Sequence, residues 1–244
     1  MFQNAQVPRW DALPGGAGLR QDLEQSLAQW WPRIFGYHLL QLGPLSADFN
    51  SNDCGIAHRF SVYPGTGASL QGDYCQLPLQ CASVDAVTMH LLLEFESNPY
   101  RILREVDRVL ISGGYLVISG INPFSCACLG KLLPGYQQRW PWNGHFFMPA
   151  RVRDWLGLLG YQLVHDERLC YHAFMPDWDL PMLCRQWQHR WLPGTGAVYL
   201  LVARKLEAPL TPLSNRQRKK VGSWRPAATA GCSGSTNAGR INKE

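Results

Sequence analysis

Residues 84–119, VDAVTMHLLLEFESNPYRILREVDRVLISGGYLVIS, decide the fold. Val84-Asp85-Ala86-Val87-Thr88-Met89 is a short, mostly apolar, β-branched run, the pattern of a buried strand. Ser97-Asn98-Pro99 starts a helix: a capping residue, then a proline near the first helical position, where its missing N–H costs nothing. Ile102, Leu103, Val106, Val109 and Leu110 form an apolar stripe at helical spacing, and Arg101, Arg104, Glu105 and Arg108 fill the other positions. Gly113-Gly114 stops that helix, and Tyr115-Leu116-Val117-Ile118-Ser119 is a second buried strand. A strand, a helix and a strand within 36 residues suit a parallel βαβ unit with a right-handed crossover.

The same reading extends in both directions. Leu19, Leu23, Leu27, Trp30 and Trp31 share one helical face, and Pro32 is expected to end that helix. Residues 39–42 and 58–62 read as strands, and 68–72 as a third short one ending at Asp73. Residues 44–57 are too polar and broken to predict a helix. Downstream, Pro149 starts a helix with Val152, Trp155, Leu156 and Leu159 on one face, closed by Gly160. Residues 161–170 and 197–203 read as strands. Strands separated by helices predict an α/β fold, a Rossmann-like, doubly wound, mostly parallel sheet with helices on both faces. Three regions are expected: an extended Pro/Gly-rich arm over 1–18, the α/β domain over 19–207, and a disordered basic tail over 208–244.

Composition narrows the function. The chain has 244 residues, 46% of them hydrophobic and 17% charged, with ten tryptophans. Its net charge of +5 is concentrated in the last 34 residues, which carry seven Lys/Arg against Glu244 alone, so the body is near neutral. A nucleic-acid-binding face would cluster Lys/Arg on the domain itself, so no specific nucleic-acid partner is predicted. The tail reads as solvated, with the 216–220 run RQRKK available for weak contact with RNA or anionic lipid. The eight cysteines form no CxxC pair and have no histidine cluster beside them, so no metal site is predicted. They read as free thiols of a reducing cytoplasm. The N-terminus lacks the basic and apolar regions of a signal peptide, and no run approaches 18 apolar residues, so a cytoplasmic protein without a membrane span is expected.

In open α/β sheets, ligands bind beyond the carboxyl ends of the strands. Here those ends are the turns after residues 42, 62, 72, 89 and 119. Several carry family features. Asp73 and Leu77-Pro78, Val84-Asp85-Ala86-Val87, Arg108-Val109-Leu110, Gly113-Gly114 and residues 115–119 recur in this order and spacing in the class I S-adenosylmethionine-dependent methyltransferases, which the stretch from Gly72 to Phe124 resembles. It is similar in particular to a proteobacterial branch of the type 11 methyltransferases, with HxLEF after the fourth strand (here His90-Leu91-Leu92-Leu93-Glu94-Phe95, one Leu differing in register) and SGxNP after the fifth. Weaker matches extend the resemblance to residues 38–204.

The resemblance implies S-adenosylmethionine as cofactor, held by Gly43, Pro44, Tyr63, Asp73, Tyr74 and His90. It also implies a small-molecule methyl acceptor in a pocket lined by Asn122, Trp140, Trp142 and His145. His90 and His145 are the candidate general bases, since imidazole titrates near neutrality. The first half departs from the family pattern. Gln41 stands where an acid is usual, Leu45 in the second glycine's place, and Tyr63 where an acid usually grips the ribose hydroxyls. A leucine does not give the close backbone approach of a glycine, and a tyrosine cannot match a carboxylate's two charged hydrogen bonds. The alternative reading is therefore a non-catalytic, methyltransferase-like binding or regulatory module. A nicotinamide-dependent reductase would want GxGxxG after the first strand, which GPLSAD does not supply. Asn122-Pro123-Phe124 is similar to the Asn-Pro-Pro-aromatic motif of amino-methylating enzymes, but follows the fifth strand rather than the fourth. The acceptor atom and the oligomeric state are not readable from the sequence.

Overall fold

The computed structural model describes residues 9–125, 128, 131, 138–170 and 193–206. Six strands form one sheet: β1 (His38–Leu42), β2 (His58–Val62), β3 (Val84–His90), β4 (Leu110–Ile121), β5 (Tyr161–Leu169) and β6 (Val198–Lys205). Their order is β2-β1-β3-β4-β6-β5. β2, β1, β3 and β4 pair in parallel, and β6 runs antiparallel to both β4 and β5. The α/β, mostly parallel architecture is therefore present.

Helices cover both faces. On one face, α1 (Gly16–Ala28), the 3-10 turns Trp10–Ala12 and Trp31–Arg33, and Leu45 of α2 (Pro44–Ala47) pack against Leu39, Ala86, Val117, Ile121, Leu200 and Val202. On the other, α3 (Pro99–Val109) and α4 (Pro149–Leu158) pack against Leu40, Leu42, Val87, Met89, Leu116, Ile118 and Leu201. The predicted α3 stripe is the buried one, since Ile102, Leu103, Val106 and Val109 are inaccessible to solvent. Each such side chain contributes about 1.5–3 kcal/mol on burial.

Several boundaries differ from expectation. Residues 10–18 are not an extended arm: Trp10 is buried, its indole N–H donates to the Leu45 carbonyl at 3.0 Å, and α1 already starts at Gly16. The Pro/Gly content hid this, because a single tryptophan anchor has no periodicity. α1 ends at Ala28, and Pro32 lies inside the separate 3-10 turn rather than stopping the first helix. The segment after β1 does contain one helical turn, α2, with Pro44 opening it. The strand expected over 68–72 shrinks to one parallel bridge, Val62 to Leu70. Leu110 opens β4 rather than closing α3. The tail expected over 208–244 lies outside the described residues.

From β1 the chain first moves to β2 on one side, then crosses back to β3 on the other. The crevice beyond the carboxyl ends of β1 and β3 is thus the point where strand order reverses, the position at which such sheets bind ligands.

Candidate functional site

Gly43 leaves β1 with φ +86° and ψ 160°, a conformation that favours glycine. A Cβ placed there would lie 3.3 Å from Leu92 Cδ1 and 3.8 Å from the Tyr74 hydroxyl. The turn, the residue after β3 and the loop before β3 therefore meet at one point. The Gly43 N–H donates to the Val62 carbonyl at 3.1 Å, which ties the turn to the end of β2. Pro44 opens α2 and has no N–H to offer. Leu45, in the second glycine's place, turns its side chain into the core beside Trp10. Its bulk lies beneath the turn rather than across it, so this substitution narrows the approach less than the sequence suggests.

The rim of the crevice is built by residues 63–77. Tyr63 is buried, and its hydroxyl lies 3.1 Å from where a Cβ on Gly67 would stand. Asp73 is exposed; its Oδ1 accepts the Cys75 N–H at 2.9 Å and its carbonyl accepts the Gln76 N–H at 3.1 Å, forming a tight turn. Tyr74 follows with its ring buried. Glu105 and Arg108 of α3 clamp the loop from below. The Leu77 N–H donates to Glu105 Oε1 at 2.9 Å, and the Arg108 guanidinium donates to the Leu77 and Leu79 carbonyls at 3.1 and 2.9 Å. The Arg108 hydrogen bond holds the Glu105 carboxyl below its usual range.

Two polar side chains at the floor are sealed. His90, 1% exposed, sits 4.3 Å from the Phe49 ring and 6.1 Å from Trp10. Its Nδ1 pairs with Ser119 Oγ at 2.9 Å, its backbone N–H donates to Ser46 Oγ, and its buried Nε2 has no partner. Desolvation lowers its pKa to about 3, so the ring is neutral. Glu94 is wholly buried on the other face. Its Oε1 accepts the Ile121 N–H at 2.8 Å, its Oε2 has no partner, and desolvation raises its pKa to about 7. Gly120 makes room for it: a Cβ there would lie 2.2 Å from both Glu94 Oε1 and the Tyr199 hydroxyl.

The residues expected to line an acceptor pocket fall into different environments. Asn122 is buried; its amide donates to the Gly194 and Gly196 carbonyls at 2.8 and 2.9 Å, and its Oδ1 accepts the Phe124 N–H. It ties the end of β4 to the start of β6. Trp142 is buried in the α1 face of the core, while Trp140 is half-buried against Phe95, ring centroids 6.0 Å apart. His145 is exposed, and its backbone N–H donates to the Glu94 carbonyl at 2.6 Å. Sequence reasoning missed the Glu94–Tyr199–Gly120 packing and Ser46 as the seat of His90. Only the glycine in SGxNP hinted at the first.

A family model described as a methyltransferase domain matches residues 45–118. The uncharacterised protein YafS of Escherichia coli K12 is 37% identical over 222 residues, which are 91% of this chain and 90% of YafS. Among solved structures, an S-adenosylmethionine-dependent methyltransferase from Archaeoglobus fulgidus superposes with a TM-score of 0.55 at 15% identity, covering 76% of this chain and 94% of that one. The [4+2]-cyclase SpnF does so with 0.54 at 17% identity, covering 84% and 85%. At such identities the structural likeness speaks for the fold alone.

Proposed function

The chain belongs to the class I S-adenosylmethionine-dependent methyltransferase family, and we propose that it transfers the methyl group of that cofactor to a small-molecule acceptor. The observation that carries this reading is the meeting of Gly43, Tyr74 and Leu92 at the switch point of the sheet. A cradle that a single Cβ would narrow, walled by an aromatic ring and rimmed by an exposed carboxylate at Asp73, fits a nucleoside with a cationic tail. Gly43 would let the ligand approach the backbone, Tyr63 and Tyr74 would wall it, and Asp73 would meet its polar edge. When bound, the cofactor supplies an activated methyl group on a good leaving group.

The protein then has to align the acceptor and exclude water. Trp140 and Phe95, their rings tilted at 32° with centroids 6.0 Å apart beside the 3-10 turn after β3, supply an apolar wall for that purpose. Of the two histidines, His145 suits proton removal better. Its ring is exposed while its backbone is pinned to Glu94; His90 is sealed under Phe49 and Trp10 and is better suited to holding the β3 turn.

A second reading, a non-catalytic binding module, is favoured by two observations. The Gly43 N–H is already committed to Val62, and the end of β2 offers Tyr63 instead of a carboxylate. A cyclase on a similar fold illustrates that fold alone does not set the reaction. Titration with S-adenosylmethionine, followed by a methyl-acceptor screen monitored through S-adenosylhomocysteine release, separates the readings. The enzyme reading requires both binding and turnover. Binding without turnover favours the module.

A further inference from the structure

The Gly43 cradle is joined to an aromatic wall through the 3-10 turn that follows β3. Leu92 Cδ1 lies 3.3 Å from the Cβ position of Gly43, and the Leu92 carbonyl accepts the Phe95 N–H at 3.2 Å. The Phe95 ring packs on Gly144, where a Cβ would lie 2.8 Å from Phe95 Cε1. Gly144 in turn holds Lys131, whose Nζ donates to the Gly144 carbonyl at 2.5 Å and sits 4.0 Å from the centroid of the Phe146 ring. The Trp140 ring lies 6.0 Å from that of Phe95. Phe95, Trp140, Phe146 and Lys131 are all half-buried, so each keeps some surface open.

The polar groups of this wall are one-sided. Lys131 has three N–H donors; one is spent on Gly144, and among the described residues no carboxylate pairs with it. The Phe146 ring face holds the ammonium in place. The Trp140 indole N–H is buried and, among the described residues, has no acceptor. The rings of Phe95, Trp140 and Phe146 offer no acceptor of their own, and the nearby Glu94 carboxyl is sealed in the core.

We propose that the methyl acceptor is an aromatic carboxylic acid, its ring laid against Phe95, Trp140 and Phe146 and its carboxylate paired with the Lys131 ammonium. This rests on the methyltransferase reading above and names the class of small molecule that it takes. A planar ring matches the aromatic faces, and a carboxylate supplies the counter-charge that Lys131 lacks among the described residues. Phe95 links Gly144 to Leu92, so a ring anchored at Lys131 and lying on Phe95 extends toward the cradle.

The test is calorimetric titration of the full chain, with and without S-adenosylhomocysteine, using 4-hydroxybenzoate, salicylate and indole-3-acetate, each beside its neutral amide. S-adenosylmethionine is titrated separately. The unaltered protein is compared with Lys131→Met and Trp140→Phe, with melting temperatures read in parallel. A hydrogen bond to a charged group is worth about tenfold or more, so at least one acid is expected to bind the unaltered protein about tenfold more tightly than its amide. Lys131→Met keeps the length of the side chain and is expected to abolish that preference while leaving amide binding unchanged. Trp140→Phe keeps a ring and is expected to weaken acid and amide several-fold. Lys131 is partly exposed, so its variant decides the matter even if the Trp140 variant does not fold. No acid preferred over its amide, or a preference that survives in Lys131→Met, overturns this inference, and normal binding of S-adenosylmethionine then leaves the methyltransferase reading standing. Failure of the unaltered protein to bind S-adenosylmethionine overturns that reading, and the acceptor assignment with it.

Discussion

His90, the last residue of β3, packs against Trp10 and Phe49 on one face of the sheet, and Glu94, four residues on, packs against Tyr199 on the other, whereas Asp73, in the loop before β3, is exposed at the rim. The floor and the rim use similar residue types for different ends. On the floor, each group is desolvated and held mainly by the protein: His90 by Ser119 and Ser46, Glu94 by the Ile121 N–H. At the rim, Asp73 is exposed, and the Cys75 N–H takes up one of its carboxylate oxygens. Floor substitutions should therefore change stability, and rim substitutions should change binding.

The floor also carries two opposed pH dependences. The folded pKa of His90, about 3, lies below its ordinary 6.5, so the unfolded chain takes up a proton first and stability falls as pH drops from 6.5 toward 3. The folded pKa of Glu94, about 7, lies above its ordinary 4.5, so the unfolded chain loses its proton first and stability falls as pH rises from 4.5 through 7. Between 4.5 and 6.5 the two slopes cancel. Removing either group exposes the other.

The largest effect expected is from Gly120→Ala. Its Cβ would collide with Glu94 and Tyr199 in a sealed space, and overpacking of this kind costs about 3 kcal/mol. Denaturant unfolding should show a lower midpoint with an unchanged slope. Next, Glu94→Gln keeps an acceptor for the Ile121 N–H but removes the charge. At about 1.4 kcal/mol per pKa unit, the variant should gain up to about 3 kcal/mol relative to the unaltered chain on going from pH 5 to pH 8, read from thermal unfolding at each pH. A constant offset across that range would mean that the carboxyl is not desolvated. His90→Gln should lose stability at neutral pH and leave the Glu94 slope unopposed, so that it gains roughly 2 kcal/mol relative to the unaltered chain on going from pH 6.5 to 5, with no selective effect on ligand binding. A selective loss of binding would move His90 from floor to site. The smallest effect crosses the boundary. Arg108→Ala releases the Leu77 and Leu79 carbonyls from α3 and should cost about 1 kcal/mol. Because that loop carries Tyr74, affinity for S-adenosylhomocysteine should fall a few-fold as well.

The sequence made the scaffold legible wherever a period or a proline marked it. The 84–119 stretch gave β3, α3 and β4, and His58–Val62 was read to the residue as β2. Trp10 was illegible because one anchor in a Pro/Gly-rich segment has no pattern, and α2 because a four-residue helix built on Pro44 has none either. The site was legible in position but not in detail. Gly43 and Asp73 could be placed at strand ends, yet that Leu45 points inward, and that Tyr74 reaches back to Gly43, depends on how the loops fold over the sheet. Asn122 illustrates the converse. A motif residue at a strand end looked like a pocket wall, and its amide is spent on the Gly194 and Gly196 carbonyls.

The central claim is that the turn at Gly43 is a working cofactor site. The measurement that tests it most directly is calorimetric titration of S-adenosylhomocysteine into the full chain and into Gly43→Val, both checked as folded by their melting curves. The account predicts micromolar affinity for the unaltered protein and a loss of about a hundredfold or more when the valine fills the cradle beside Leu92 and Tyr74. Equal binding by both proteins, or no binding by the unaltered chain up to millimolar ligand, would contradict it.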